Sequence, residues 1–186
     1  MQKIIQEYSE TLIEVLQDVS KNNSLIQKSY VFDCEWLSSL NPEKVRETDE
    51  HKTYQELFRN LKGPVLYWFR IISDTSSSDI RQKLQEYKSL NSLDKKATPS
   101  LRNSFNPSSK ILYVGKVKRN FWSRVIQHIG IYENKQTQGL QLMHWTGGLD
   151  LRVELNAIEF DEGMSNLISI FEWKLSKIKK PIIGIH

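Results

Sequence analysis

Apolar residues recur along the first segment at Ile4, Ile5, Tyr8, Leu12, Val15 and Leu16, a spacing that predicts an amphipathic helix over 2–19. The pattern breaks at Lys21-Asn22-Asn23-Ser24. Residues 31–60 are polar and interrupted by Pro42, with a second helix expected over 50–61. Residues 1–62 thus read as an N-terminal helical appendage. Gly63-Pro64 marks a sharp change: the run Val65-Leu66-Tyr67-Trp68-Phe69-Arg70-Ile71-Ile72 is rich in β-branched and aromatic residues and predicts a buried central strand. Residues 73–109 form a long polar insertion. Ile80, Leu84 and Tyr87 predict one helix inside it, opened by the serines at 76–78, and 91–110 reads as an irregular loop.

A second strand is expected over 110–117, then a helix over 120–129 capped by Asn120. Residues 132–148 show no clear period. A third strand is expected over 149–160, with Leu151, Val153, Leu155 and Ala157 pointing one way. The last helix, 164–179, would bury Leu167, Ile168, Phe171, Leu175 and Ile178 and stop at Pro181. The fold class expected is α+β. A small three-stranded central sheet flanked by helices occupies 63–186, and the helical appendage precedes it.

Composition narrows the class. With 186 residues, 39% hydrophobic and 10% aromatic, the chain can bury a core. No apolar run approaches the roughly 18 residues of a membrane span. The first 20 residues are amphipathic and mixed in charge, unlike a signal peptide, so a cytoplasmic protein is expected. Cys34 is the lone cysteine, which leaves neither an internal disulfide nor a zinc-finger cluster. The net charge of +4 is unevenly spread. Residues 1–60 carry 7 Lys/Arg against 11 Asp/Glu, and residues 61–186 carry 19 against 11. A basic excess of this kind suits a binder of phosphate backbones, and equally a solvated lysine-rich surface.

Candidate chemistry lies in the basic part. Tyr113-Val114-Gly115-Lys116 ends an apolar strand. Arg124 and His128, four residues apart, share one face of the next helix. Tyr, Lys, Arg and His gathered at one place are suited to holding a phosphate and moving protons beside it. Each also has a plainer reading. Tyr67 and Tyr113 are ordinary core residues of apolar strands, Arg124 and His128 ordinary residues of an amphipathic helix. Glu172, between Phe171 and Trp173, would be an exposed or salt-bridged carboxylate. His144-Trp145 and Asp150 flank a Gly147-Gly148 turn, and His186 is terminal.

In their order, these residues resemble the GIY-YIG nuclease family over 63–186. Val65-Leu66-Tyr67 stands at the first motif and Leu112-Tyr113-Val114-Gly115 at the second. Lys116 follows Tyr113 by three, Arg124 follows it by eleven, and His128 follows Arg124 by four. Glu172 precedes the Lys180-Pro181 pair in the register the family uses. Two features depart from the family. Gly184 stands where it has an Asn, and 46 residues separate Tyr67 from Tyr113. The resemblance implies a metal-dependent endonuclease hydrolysing phosphodiester bonds in DNA, with RNA left open, of restriction or stand-alone type. It implies Mg²⁺ or Mn²⁺ on Glu172, Arg124 on the phosphate, Tyr67 or Tyr113 as base, and Lys116 and His128 assisting. Lys118, Arg119, Lys174 and Lys177 would line the nucleic acid. The alternatives are a catalytically silent nucleic-acid-binding or protein-interaction module on the same fold, and a nuclease masked by its acidic N-terminal region.

Overall fold

The run around Tyr67 forms a strand, β2 (Val65–Ile71), at the interior of one antiparallel sheet. In this computed structural model residues 2–21, 25–91, 97–132 and 139–184 are described. The sheet has four strands in the order β1 (Ile26–Asp33), β4 (Arg152–Glu159), β2, β3 (Ile111–Val117). The expected three-stranded sheet is therefore short by one. The extra strand comes from the segment read as a helical appendage, where Ile26 to Asp33 pairs with β4 in the register Phe32↔Val153. Its alternation is visible only faintly in the sequence: Phe32 is buried, while Ile26 and Val31 are about half exposed. An edge strand needs only one clean face, so the apolar code is thin.

The helices among the described residues are α1 (Gln2–Ser20), α2 (Cys34–Ser38), α3 (Pro42–Glu47), α4 (Asp49–Arg59), α5 (Ser77–Leu90), α6 (Phe121–Ile129), α7 (Leu142–Trp145) and α8 (Ile168–Lys179). None is long and apolar enough to cross a membrane. Their starts follow local chemistry. The side chains of Asn41, Thr48 and Ser76 accept N–H groups that the first turns of α3, α4 and α5 would otherwise leave unpaired. A 3-10 turn, Glu162–Asn166, precedes α8, so that helix starts later than its apolar spacing suggests. Ile178 does not join its buried face and is 63% exposed.

Alternation along β2 divides the interior. Tyr67 and Phe69 join Val153, Leu155, Ala157, Tyr54, Phe58 and Phe121 in the larger core, beneath α4 and α6. Burying each such aliphatic or phenyl side chain contributes about 1.5–3 kcal/mol. Leu66 points the other way, into a smaller core with Phe160, Met164 and Ile168, which α8 covers and Val15 and Val19 of α1 border. No residue of α1 is itself buried.

The insertion does not dangle. Helix α5 buries Ile80, Leu84 and Tyr87, as the spacing predicts. Part of the loop expected at 91–110 lies outside the described residues, as do parts of 21–24 and 132–148. The portion from Ala97 onward reaches the end of the described chain. Gly184 N–H donates to Ser100 O at 2.8 Å, and Leu101 bridges Ile183. Ile182 and Ile183 in turn donate to Ile111 O and Leu112 O of β3.

Candidate functional site

The register of β2 and β3 sets the geometry. Tyr67 lies opposite Gly115 and Phe69 opposite Tyr113, so both tyrosines share the face beneath α6. Their ring centroids are 6.1 Å apart. The two strands pair antiparallel despite the long insertion, with a register shift between Phe69 and Arg70 where the insertion approaches. Gly115 is what lets the rings approach. A Cβ on it would stand 2.6 Å from Tyr113 Cε1 and from Tyr67 Cζ and Oη. The glycine of the second motif is thus a steric requirement rather than a turn.

Helix α6 brings the next two groups. Asn120 caps it from a left-handed backbone conformation (φ 57°) that Asn tolerates better than most residues. The large apolar side chain of Phe121 then anchors the first turn against Phe58 and Tyr67. His128 faces inward and is wholly buried, with Nε2 2.9 Å from Tyr67 Oη. Its other ring nitrogen, Nδ1, accepts the backbone N–H of Leu140 at 3.0 Å. A nitrogen that accepts carries no proton, so the neutral ring bears its proton on Nε2 and donates to Tyr67. Burial, and then the neighbouring Arg124 charge, push the His128 pKa well below its usual value. It is neutral near pH 7.

Arg124, half-buried, donates from Nη1 to Gln127 Oε1 at 2.7 Å, and its charge is felt by both phenols. Burial disfavours its charge, and the two phenol oxygens more than restore it. Tyr67 is completely buried. Burial raises its pKa strongly, and the neighbouring Tyr113 oxygen raises it further, against the pull of Arg124. The Tyr113 ring lies beside it, its centroid 6.1 Å from that of Tyr67 and 5.0 Å from that of His128. Tyr113 is also raised, by burial first and by the charge of Glu172, with Arg124 opposing. Unlike Tyr67 it reaches the surface.

Lys116 and Glu172 complete the cluster from the far side of β3. Lys116 lies opposite Leu66, on the face covered by α8, and its Nζ is 3.0 Å from Glu172 Oε2. Glu172, on α8, is close enough to influence Tyr113 electrostatically around the strand edge. Tyr67, Tyr113, Arg124 and His128 therefore share the α6 face of the sheet, while Lys116 and Glu172 pair on the α8 face, and only the Glu172 charge reaches round to Tyr113. Lys118 and Arg119, in the turn after β3, instead reach Asn166 and Glu162 of the 3-10 turn. Lys174 and Lys177 are exposed on α8.

The residues present fit some metals better than others. No cluster of three or more His, Cys, Asp or Glu suited to a metal occurs among the described residues, which disfavours a site built wholly from protein ligands. A single hard carboxylate suits Mg²⁺ or Mn²⁺, which keep most of their waters, and Glu172, mostly buried and held by Lys116, would have to share its oxygens between the two cations.

Two supporting residues are not visible in the sequence pattern. Leu140 supplies the N–H that sets the His128 tautomer, and Gly139 beside it touches the Gln127 backbone so closely that a Cβ would not fit. Trp145 donates its indole N–H to Leu140 O at 2.7 Å, and His144 Nε2 lies 2.9 Å from Gly130 O, so this pair braces the segment behind the site. A Gly beside aromatic and His residues in 132–148 was the available signal. Asp150 follows the Gly147-Gly148 turn, away from these contacts, and its backbone oxygen accepts from Thr75. His186 lies outside the described residues. Gly184, with φ 144°, adopts a backbone conformation that disfavours the Asn found at this place in the resembled family. No protein-family model, curated protein or solved structure matches the chain.

Proposed function

We propose that this chain is a metal-dependent endonuclease that hydrolyses phosphodiester bonds in DNA. The observation that carries the reading is the cluster of Tyr67, Tyr113 and His128 rings under α6, with the Arg124 charge beside them and the Glu172 charge reaching Tyr113 from the other sheet face. The resemblance of the same residues to the GIY-YIG nucleases supports it. Glu172 would hold Mg²⁺ or Mn²⁺, which when bound supplies an acidified water and neutralises charge on the phosphate.

The residues then divide the work. Tyr113, the one of the two tyrosines that reaches solvent, is placed to take the proton of the attacking water. Its raised pKa opposes this, and compensation of the Glu172 charge removes one of the two influences that raise it. Arg124 has donors to spare for a phosphate oxygen. Water oxygen bonds to phosphorus as the bond to O3′ breaks, and the departing O3′ takes a proton from solvent, leaving a 5′-phosphate and a 3′-hydroxyl. His128, buried and neutral, acts as a positioning residue for Tyr67 rather than as a shuttle.

Gly184 favours a second reading, a silent nucleic-acid-binding module on this fold. Supercoiled plasmid with Mg²⁺ or Mn²⁺ separates the two. Cleavage by wild type, lost in Glu172→Ala and Arg124→Ala, supports the nuclease. Equal nicking in all three points to a contaminant. Binding without cleavage supports the silent module.

A further inference from the structure

Helix α8 carries Glu172 on one side and an uncovered stripe on another. Ile170, Trp173 and Ile178 are 59%, 49% and 63% exposed, and Lys174 and Lys177 lie between them at helical spacing. Lys177 Nζ sits 4.3 Å from the Trp173 ring centroid, and the cation props one side of the indole. None of Lys174, Lys177, Lys179 and Lys180 has a carboxylate partner among the described residues. The first acidic neighbour along the helix is Glu172 itself, already paired with Lys116.

From this arrangement, which rests on the nuclease reading, we infer that Trp173 is a stacking platform for an unpaired base beside the phosphate being cleaved. The substrate class is therefore nucleic acid with a single-stranded segment at the cleavage point, rather than continuous duplex. Lysines alone would suffice to track a duplex backbone. An exposed indole among them adds something only an unstacked base can use, because bases inside a duplex already have both faces covered. Charge complementarity selects a polyanion over a second copy of the basic α8 stripe. Trp173 directly follows Glu172 on α8, so the indole projects about 100° around the helix from the carboxylate at nearly the same level along its axis.

The test is fluorescence-anisotropy titration of the full-length protein with a labelled single-stranded oligonucleotide, a blunt duplex of equal length and a duplex with a single-stranded flap. Wild type is compared with Trp173→Ala and Trp173→Phe, and plasmid cleavage is measured in parallel. Wild type should prefer the single-stranded and flapped oligonucleotides. Trp173→Ala should lose about tenfold in affinity for these two and little for the duplex, with Trp173→Phe between. Thermal melting checks that each variant is folded. Equal affinities of wild type and Trp173→Ala for all three overturn the platform, as does a loss equal on duplex and single strand. A change of oligomeric state in Trp173→Ala, with nucleic-acid binding unchanged, reassigns the stripe to a protein interface and overturns it too. Plasmid cleavage by wild type alongside any of these negative results leaves the nuclease reading standing. Absence of both cleavage and binding removes both.

Discussion

Tyr67 Oη and His128 Nε2 lie 2.9 Å apart inside the fold, and the Leu140 N–H on the opposite ring nitrogen makes the histidine the donor. The tyrosine closer to the protein centre is thereby committed to internal hydrogen bonds. Only its neighbour Tyr113 is left to meet a water.

The two tyrosines should accordingly fail in different ways. Tyr67→Phe leaves the His128 N–H unpaired in the core and should cost about 1–3 kcal/mol in urea unfolding. Tyr113→Phe, at a partly exposed position, should cost less stability but slow single-turnover plasmid cleavage at least about 100-fold. The reverse ranking would move the base to Tyr67.

Gly115→Ala tests the close approach of the two rings. The added methyl meets both tyrosines at 2.6 Å, so one ring must turn away. We expect about 1–3 kcal/mol of destabilisation and a loss of cleavage larger than any change in the folded fraction explains. A variant with wild-type melting and activity would show that the rings are free to move.

His128 makes stability depend on pH. An unfolded histidine takes up a proton near pH 6.5, while the buried one resists until well below. Below about pH 6.5 the unfolded chain therefore binds more protons than the folded one, and stability falls as pH drops; above that it is fully retained. Urea midpoints of wild type and His128→Gln from pH 8 to 5 should converge on acidification. Parallel curves would mean that another group governs the dependence.

The N-terminal segment should divide under truncation. Residues 2–12 hold none of the buried side chains, and deleting them should change unfolding free energy by about 0.5 kcal/mol or less. Deleting 2–33 removes β1, with Phe32 and its pairing to β4, and should abolish cooperative folding. A rise in cleavage on removing 2–12 alone would show that this acidic helix shields the site.

The extent to which all this is legible in the sequence differs by element. β2, β3, β4, α5 and α6 follow from periodicity and caps, because each is committed to a core on at least one side. β1 is not legible, because an edge strand between polar neighbours carries little alternation. The candidate residues could be named from motif order, but not their division of labour. That Tyr67 is sealed and Tyr113 open depends on how α6 lies across the strands, and the His128 tautomer depends on a backbone N–H twelve residues away. The pairing of Lys116 with Glu172 joins two helix- and strand-borne groups whose contact no local pattern encodes.

The strand order carries a kinetic consequence. β1, early in the chain, can pair only with β4, and β2 is flanked on one side by β4 and on the other by β3, beyond the long insertion. No two consecutive strands can close as a short hairpin. Most of the sheet must wait for distant parts of the chain to meet, and chains with such non-local pairings refold in milliseconds to seconds rather than microseconds. Among the three pairings, β2 with β3, which sets the two tyrosines side by side, closes the shortest loop, and β1 with β4 at the opposite edge closes the longest, so the tyrosine edge can form before the far edge is complete.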